Sequence, residues 1–204
     1  MSETISEQRS GVAVPLFRDT DLGGRLSPFK GVWPRVADDA FVFHGAQLVG
    51  DVDVGAGASV WHNCVVRGDV NYVRIGARSN IQDGTVIHVS TNTFPTVIGR
   101  DVLVAHGVLL HGCTLEDYAF VGMGSIVMDD CVVEGDAMLA AGAMLTPGRR
   151  IRAGELWAGR PAKFLRPLRD EEVAKNRSMA EHYRRLACQH RLDASGGTAV
   201  DPYP

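Results

Sequence analysis

The sequence predicts an all-β solenoid, a parallel β-helix built from short strands, followed by one C-terminal α-helix. Between residues 42 and 145 an aliphatic residue opens nearly every unit of six residues, and the next position is often small. A period of six fits neither an α-helix, whose apolar residues recur at three and four, nor a plain strand, whose residues alternate. It is typical of a solenoid in which each unit forms one strand and one turn. The openers are Val42, Leu48, Val54, Val60, Val66, Ile75, Ile81, Ile87, Ile98, Val104, Leu110, Leu115, Val121, Val127, Val133, Leu139 and Leu145.

A run of ordinary hairpins is the alternative, but hairpins would be spaced less regularly. We therefore expect three units to close one triangular coil, which advances the solenoid by one strand spacing of about 4.8 Å. Residues at the same place on successive coils then become neighbours. We call the three corners A, B and C. Their openers are Ile75, Ile81 and Ile87 on one coil, and Ile98, Val104 and Leu110 on the next, after an insertion at 89–97.

Small residues follow many openers, among them Gly55, Gly76 and Gly99 at corner A. Glycine adopts backbone conformations that other residues avoid. We therefore expect these positions to be the sharp corners at which the chain turns.

The chain divides into four segments. Residues 1–37 precede the repeat, residues 38–160 form the β-helix, residues 161–192 form a linker and the C-terminal helix, and residues 193–204 form a flexible tail. Three acidic residues at 170–172, apolar residues three to four apart and arginines near the end indicate the helix. We expect its apolar face to pack along the solenoid.

The composition excludes several classes of partner. A net charge of −3 gives no electrostatic reason to expect nucleic acid or an anionic membrane. No apolar run reaches the length of a transmembrane helix, and the N-terminus lacks a signal-peptide pattern. The four cysteines are scattered without a CxxC pair, which favours a reduced, cytoplasmic setting over a disulfide framework.

Three histidines occupy unequal places in the repeat. His88 and His111 each follow the opener of corner C by one residue on successive coils, so they should stack. His106 lies two residues past the opener of corner B, on a different face. One coil cannot bring all three together, but a neighbouring solenoid packed side by side can. A three-fold arrangement repeats this contact and closes. We therefore predict a homotrimer with three metal sites between subunits.

Three imidazoles around an open fourth position suit zinc used as a Lewis acid. Iron and cobalt also accept three imidazoles. Arg67 should lie below His88 at corner C, and Gln82 should lie below His106 near corner B. The other histidines have no partner in register, and we interpret them as surface or packing residues; they are His44, His62, His182 and His190.

Four stretches resemble the γ-class carbonic anhydrases and their close relatives among hexapeptide-repeat proteins. They are VVRGDVNYVRIGARSNIQDGTVIHV (65–89), VAHGVLLHGCTL (104–115), VGMGSIVMD (121–129) and WAGRPAKFLRPL (157–168). The resemblance covers residues 35–191. It implies a β-helix that coils left-handed, because the family does.

The resemblance also implies roles for individual residues. His88, His106 and His111 match the family's metal ligands, and Arg67 with Asp69 matches the pair that joins neighbouring chains beside the site. The family's polar residues that orient hydroxide and CO2 correspond to Gln82 and Asn80, and its helix tyrosine near the site corresponds to Tyr183. Asn80 and Tyr183 also fit purely structural roles, as a ladder amide and a packing residue.

The sequence departs from the family's best-studied enzymes in its acidic residues. Those enzymes carry a loop glutamate that is thought to shuttle protons, whereas the loop VSTNTFPTV has no acid and Val70 stands where a second glutamate is expected. Reversible hydration of CO2 to bicarbonate is the activity that we favour. Acyl-CoA thioester hydrolysis or acyl transfer is the second hypothesis, and a scaffold trimer with little turnover is the third.

Overall fold

A computed structural model describes residues 15–197. It shows the left-handed parallel β-helix with a single C-terminal helix that the sequence predicts. The strands are β1 (Arg18–Asp19), β2 (Arg25–Ser27), β3 (Arg35–Val36), β4 (Phe41–Val42), β5 (Gln47–Val54), β6 (Ser59–Val60), β7 (Val65–Ile75), β8 (Asn80–Ile81), β9 (Val86–His88), β10 (Thr96–Ile98), β11 (Leu103–Val104), β12 (Leu109–His111), β13 (Thr114–Leu115), β14 (Phe120–Val121), β15 (Ile126–Val127), β16 (Val132–Val133), β17 (Met138–Leu139), β18 (Met144–Leu145), β19 (Arg150–Ile151), β20 (Glu155–Ala158) and β21 (Lys163–Pro167). The helix α1 runs from Asp170 to Ala194.

The register of the coils follows the period of six. At corners A, B and C, the openers pair one coil apart, as Ile75 with Ile98, Ile81 with Val104 and Ile87 with Leu110. All six openers are buried in one continuous apolar core. We call the side of the solenoid that carries the openers of each corner face A, B or C. Faces A and C belong to one sheet because β5 and β7 continue from face C onto face A. Face B forms a separate sheet, which extends from β4 to β21.

Part of the segment that precedes the repeat belongs to the same architecture. Strands β2 and β3 pair in parallel with β5, and β1 pairs with β2 in antiparallel fashion. They lie against one margin of the sheet, whose backbone groups would otherwise lack partners. Residues 1–14 lie outside the described residues.

The helix α1 packs on face B. Its Ala187 lies in an apolar cluster with Phe41, Phe43 and Trp61 of the solenoid, and Tyr183 borders that cluster. Three acids occupy the first turn, where the positive end of the helix dipole favours them. The helix ends at Ala194, inside the segment predicted as a tail, and residues 198–204 of that tail lie outside the described residues. Within residues 15–197, no helix has the length of apolar sequence that crossing a membrane requires.

The glycines at corner A stand where the chain turns, and they also allow successive coils to stack closely. The chain turns directly after Gly55, Gly76 and Gly99, as predicted, but none of the three is in the left-handed backbone conformation. A Cβ on Gly76 would lie only 2.4 Å from the carbonyl oxygen of Gly99 on the next coil. Close stacking of successive coils is therefore what requires a small residue. Left-handed backbone conformations fall three residues after the openers at both corner A and corner B, for example at Arg78 and Asp101 and at Gly84 and Gly107.

Truncation of one opener should measure how much the stacked core stabilises the fold. Leu145 is 0% exposed, and we expect Leu145→Ala to lower the free energy of unfolding by about 3 kcal/mol, because it removes buried methyl groups and leaves a cavity. Leu165 is 59% exposed on β21, so Leu165→Ala is the matched control and should change stability by less than about 0.5 kcal/mol. Chemical denaturation monitored by circular dichroism compares the two. Equal losses would contradict a core built from the openers.

Candidate metal centre

The stacking of β9 on β12 brings His88 and His111 together. The two residues are partners in the parallel ladder, and their side chains leave corner C on the same side. Nδ1 of His88 lies 3.1 Å from Nε2 of His111, and the ring centroids are 5.1 Å apart. The two imidazoles therefore present nitrogen atoms to a common point, in the arrangement that the register predicts.

An aspartate holds the outer nitrogen of His88. Nε2 of His88 lies 3.0 Å from Oδ1 of Asp69, and Arg67 contacts the other carboxylate oxygen. Burial disfavours the charge on Asp69, but the hydrogen bonds from Arg67 and His88 outweigh it and lower the pKa of this carboxyl. Arg67 and Asp69 are thus in contact within one chain, directly beside the first histidine, and the predicted role of this pair in joining neighbouring chains stays a prediction.

A second aspartate holds the outer nitrogen of His111. Nδ1 of His111 lies 2.6 Å from Oδ1 of Asp129, and the hydroxyl of Ser90 donates a hydrogen bond of 2.9 Å to Oδ2. Ser90 belongs to the insertion that lacks acids, so that loop is joined to the site through Asp129. The sequence interpretation missed Asp129. It lies two residues past the opener Val127, on the coil after His111 and at a different place in the unit.

A third aspartate holds His106. Nδ1 of His106 lies 3.0 Å from Oδ2 of Asp83, and the other oxygen of Asp83 lies 3.2 Å from Nδ1 of His62. His62, Asp83 and His106 each follow an opener of corner B by two residues, so they form one vertical file. The expectation that His62 has no partner in register is therefore wrong. Counting acids as well as histidines along this file would have found the contact.

The polar residues predicted beside the site lie on face B. Gln82, His106 and Tyr183 line one cavity of about 750 Å³ between this face and α1. The remaining walls of this cavity are mainly apolar and include Leu103, Phe120 and Met138. Gln82 is thus placed with His106, on a face separate from that of His88 and His111.

Asn80 is buried beside the aromatic cluster under α1. It is 1% exposed, and its Nδ2 donates to the hydroxyl of Ser59 at 2.8 Å. Its Oδ1 has no hydrogen-bond partner among the described residues. The contact with Ser59 fits the structural role that the sequence left open for Asn80.

The nitrogens of His88 and His111 fit two of the four ligand positions of a tetrahedral zinc ion. Two imidazole nitrogens bound to tetrahedral zinc at 2.0–2.1 Å are separated by about 3.3 Å, and the two facing nitrogens of His88 and His111 are 3.1 Å apart. In each of the three histidines one nitrogen faces an aspartate, an arrangement typical of metal-bound imidazoles. Within residues 15–197 of a single chain, no three His, Cys, Asp or Glu residues come close enough to hold a metal.

Cys113 lies two residues after His111 but does not join the site. Its side chain is buried in the core, and burial raises the pKa of its thiol. A buried neutral thiol does not supply the thiolate that a metal requires.

The stacked coils, the six-residue period and the paired histidines define a left-handed β-helix of the hexapeptide-repeat class. No family model matches the chain. It is 47% identical over 167 residues to γ carbonic anhydrase 2, mitochondrial, of Arabidopsis thaliana, covering 79% of this chain and 60% of that protein. It is 41% identical over 164 residues to Escherichia coli protein YrdA, covering 78% of this chain and 89% of that one. The chain belongs to the γ-class carbonic anhydrase-like family of hexapeptide-repeat proteins.

A solved structure shares the fold at high sequence identity. The crystal structure of a hexapeptide transferase family protein from Anaplasma phagocytophilum is 49% identical and superposes with a TM-score of 0.77, covering 80% of this chain and 96% of that one. The match to the plant relative is less complete, since the chain spans 60% of that protein's length.

Proposed function

We propose that a homotrimer of this chain catalyses the reversible hydration of CO2 to bicarbonate at three zinc sites, each formed between two subunits. The observation that carries this proposal is the division of three aspartate-bound histidines between two faces. His88 and His111 meet at corner C, whereas His106 extends from corner B. The identity with the plant γ carbonic anhydrase supports the choice of reaction.

The exposed apolar side chains support association of the two faces. Val86, Leu109 and Met128 are exposed on the face that carries His88 and His111. Met123 is 57% exposed and lines the cavity with His106. A contact between the two faces would cover both groups of side chains, and exposed apolar patches next to polar groups are typical of subunit interfaces.

The residues divide the chemistry between them. A zinc ion held by three imidazoles acidifies water, so that hydroxide is available near neutral pH. His88 and His111 of one chain and His106 of its neighbour would hold this ion, and iron or cobalt would suit the same ligands. Gln82 lines the same cavity as His106, and its amide would orient the attacking oxygen. The Arg67–Asp69 pair keeps a carboxylate on His88 and so fixes the orientation of that ring.

A second candidate activity is acyl-group chemistry, either acyl transfer or CoA-thioester hydrolysis. The name of the Anaplasma relative favours it, and a cavity of about 750 Å³ is far larger than CO2 requires. Acyl transfer that uses histidine as a base needs no metal, whereas hydration at zinc does. Removal of the metal therefore separates these two activities. Hydrolysis of a thioester at the zinc site would require a panel of acyl-CoA substrates to detect it.

Metal removal is the direct test of the proposed function. We expect the purified protein to contain about one zinc ion per chain and to hydrate CO2 in a stopped-flow assay. Incubation with a chelator, followed by dialysis, should lower this rate to that of buffer, because no hydroxide is then supplied. Zinc added back should restore it. The control is the trimer mass, which should not change on chelation. Zinc-loaded protein with no rate above buffer would contradict hydration and leave the acyl-group and scaffold hypotheses.

The cytoplasmic location expected from the cysteines stays a prediction. The name of the Arabidopsis relative places that protein in mitochondria.

A further inference from the structure

We propose that His62 is a positioning residue for the metal ligand His106 and that it acts through Asp83. This inference rests on the proposed function and extends the site by one layer towards α1. His62 is connected to His106 through Asp83, which contacts both residues. Its effect would come from holding the carboxylate that in turn holds His106.

The two oxygens of Asp83 are engaged from opposite sides along the file. Oδ1 lies 3.2 Å from His62 and Oδ2 lies 3.0 Å from His106. A carboxylate with one free oxygen can rotate and exchange its partner for water. Engagement of the second oxygen by His62 removes that freedom, so the ring of His106 keeps Nδ1 on Asp83 and leaves Nε2 for the metal.

Aromatic side chains hold the ring of His62 in turn. Phe43 stacks on His62 with ring centroids 5.3 Å apart, and Trp61 lies 6.2 Å away. Both are almost fully buried. From α1, His190 approaches the same ring at 6.3 Å and meets Trp61 edge-on at 5.3 Å. The docking of the C-terminal helix is therefore connected, contact by contact, to the orientation of one metal ligand.

Three substitutions separate positioning from packing. His62→Phe keeps an aromatic ring against Phe43 but removes the donor to Asp83. His62→Asn restores a donor, because the Nδ2 of asparagine occupies a place similar to that of the Nδ1 of histidine. His44→Phe is the matched control, since His44 occupies the same file one coil earlier, is exposed and has no ion pair with an acid among the described residues.

The measurement is the affinity of the full-length trimer for Zn²⁺, determined by competition with a chromophoric chelator, together with the visible spectrum of the Co²⁺-loaded protein. We expect His62→Phe to weaken metal binding about tenfold, at the low end of the effects of residues that orient ligands. The Co²⁺ bands should shift or broaden because the ring of His106 is less well fixed. His62→Asn should bind within about threefold of the wild type, and His44→Phe should bind as the wild type does.

The outcomes distinguish this inference from the proposed function. A wild-type trimer that takes up no metal would overturn the proposed function and this inference with it. A wild type that binds metal, with His62→Phe binding equally tightly, would overturn the inference alone. An equal loss in His44→Phe would also overturn it, because the effect would then be general to the surface. If His62→Phe does not assemble into a trimer, the metal affinities of His62→Leu and His62→Asn are compared instead. Weaker binding by His62→Leu than by His62→Asn would support the inference, and equal binding would overturn it.

Discussion

Trimers that mix His88→Ala and His106→Ala chains are expected to regain about one active site in three, although each variant alone is inactive. A site needs the corner C histidines from one chain and the corner B histidine from its neighbour. In any mixed trimer, one of the three contacts joins a chain with intact His88 and His111 to a neighbour with intact His106. Co-expression with two different affinity tags and tandem purification isolates the mixed trimers, and zinc content and CO2 hydration report the recovery.

The control mixture combines His88→Ala with His111→Ala. These two histidines are ladder partners in the same chain, 3.1 Å apart, so no mixed contact contains both of them intact. No site should recover. No recovery in the first mixture would indicate that all three histidines act within one chain. Recovery in the control would indicate that His88 and His111 of one site come from different chains. Either result would contradict the proposed interface.

The ladder was predictable because the period of six determines which residues stack. Once the openers are counted, His111 must lie above His88, and Val104 must lie above Ile81. This count needs no knowledge of side-chain conformation. The burial of the openers then follows from their common position inside the coil, and the separation of His106 from the other two histidines follows from the same arithmetic.

The aspartates were harder to predict because their role depends on how far a side chain extends between coils. Asp83 shares a file with His106, so a count of acids would have indicated it. Asp129 occupies a different place in its unit from His111, yet its carboxylate lies 2.6 Å from the ring of His111 on the preceding coil. The corner glycines show a similar limit. The repeat predicts a small residue at these positions, but it does not tell whether a positive φ or the close approach of the next coil requires that residue.

The C-terminal helix was predictable as an element but not in its contacts. Its acids and arginines mark both ends, whereas the approach of His190 to His62 requires the three-dimensional path of the linker. Phe43, Trp61 and His62 come from two coils of the solenoid. The six-residue period identifies the buried openers but does not indicate that these three side chains cluster. Their cluster is visible only once α1 is in place.

Because the insertion at 89–97 has no acid that could carry protons away from the site, turnover is expected to depend strongly on the buffer. Hydration of CO2 releases a proton at every cycle, and the insertion at 89–97 contains no acid. The nearby Asp129 already accepts a hydrogen bond from Ser90 and lies against His111. General acid–base assistance contributes about 100-fold or more. We therefore expect the turnover number to rise by up to about 100-fold as imidazole buffer increases at constant pH and ionic strength.

An acid installed at the rim should replace part of that buffer. Val70 is 37% exposed and follows Asp69 on β7, so a longer carboxylate there would reach solvent beside the site. We expect Val70→Glu to raise turnover about tenfold at low buffer and to leave it almost unchanged at high buffer, because proton transfer no longer limits the rate there. Val70→Gln has the same shape without the acid and should behave as the wild type does. Equal gains in both variants would show that polarity or loop packing, rather than a proton carrier, limits this chain.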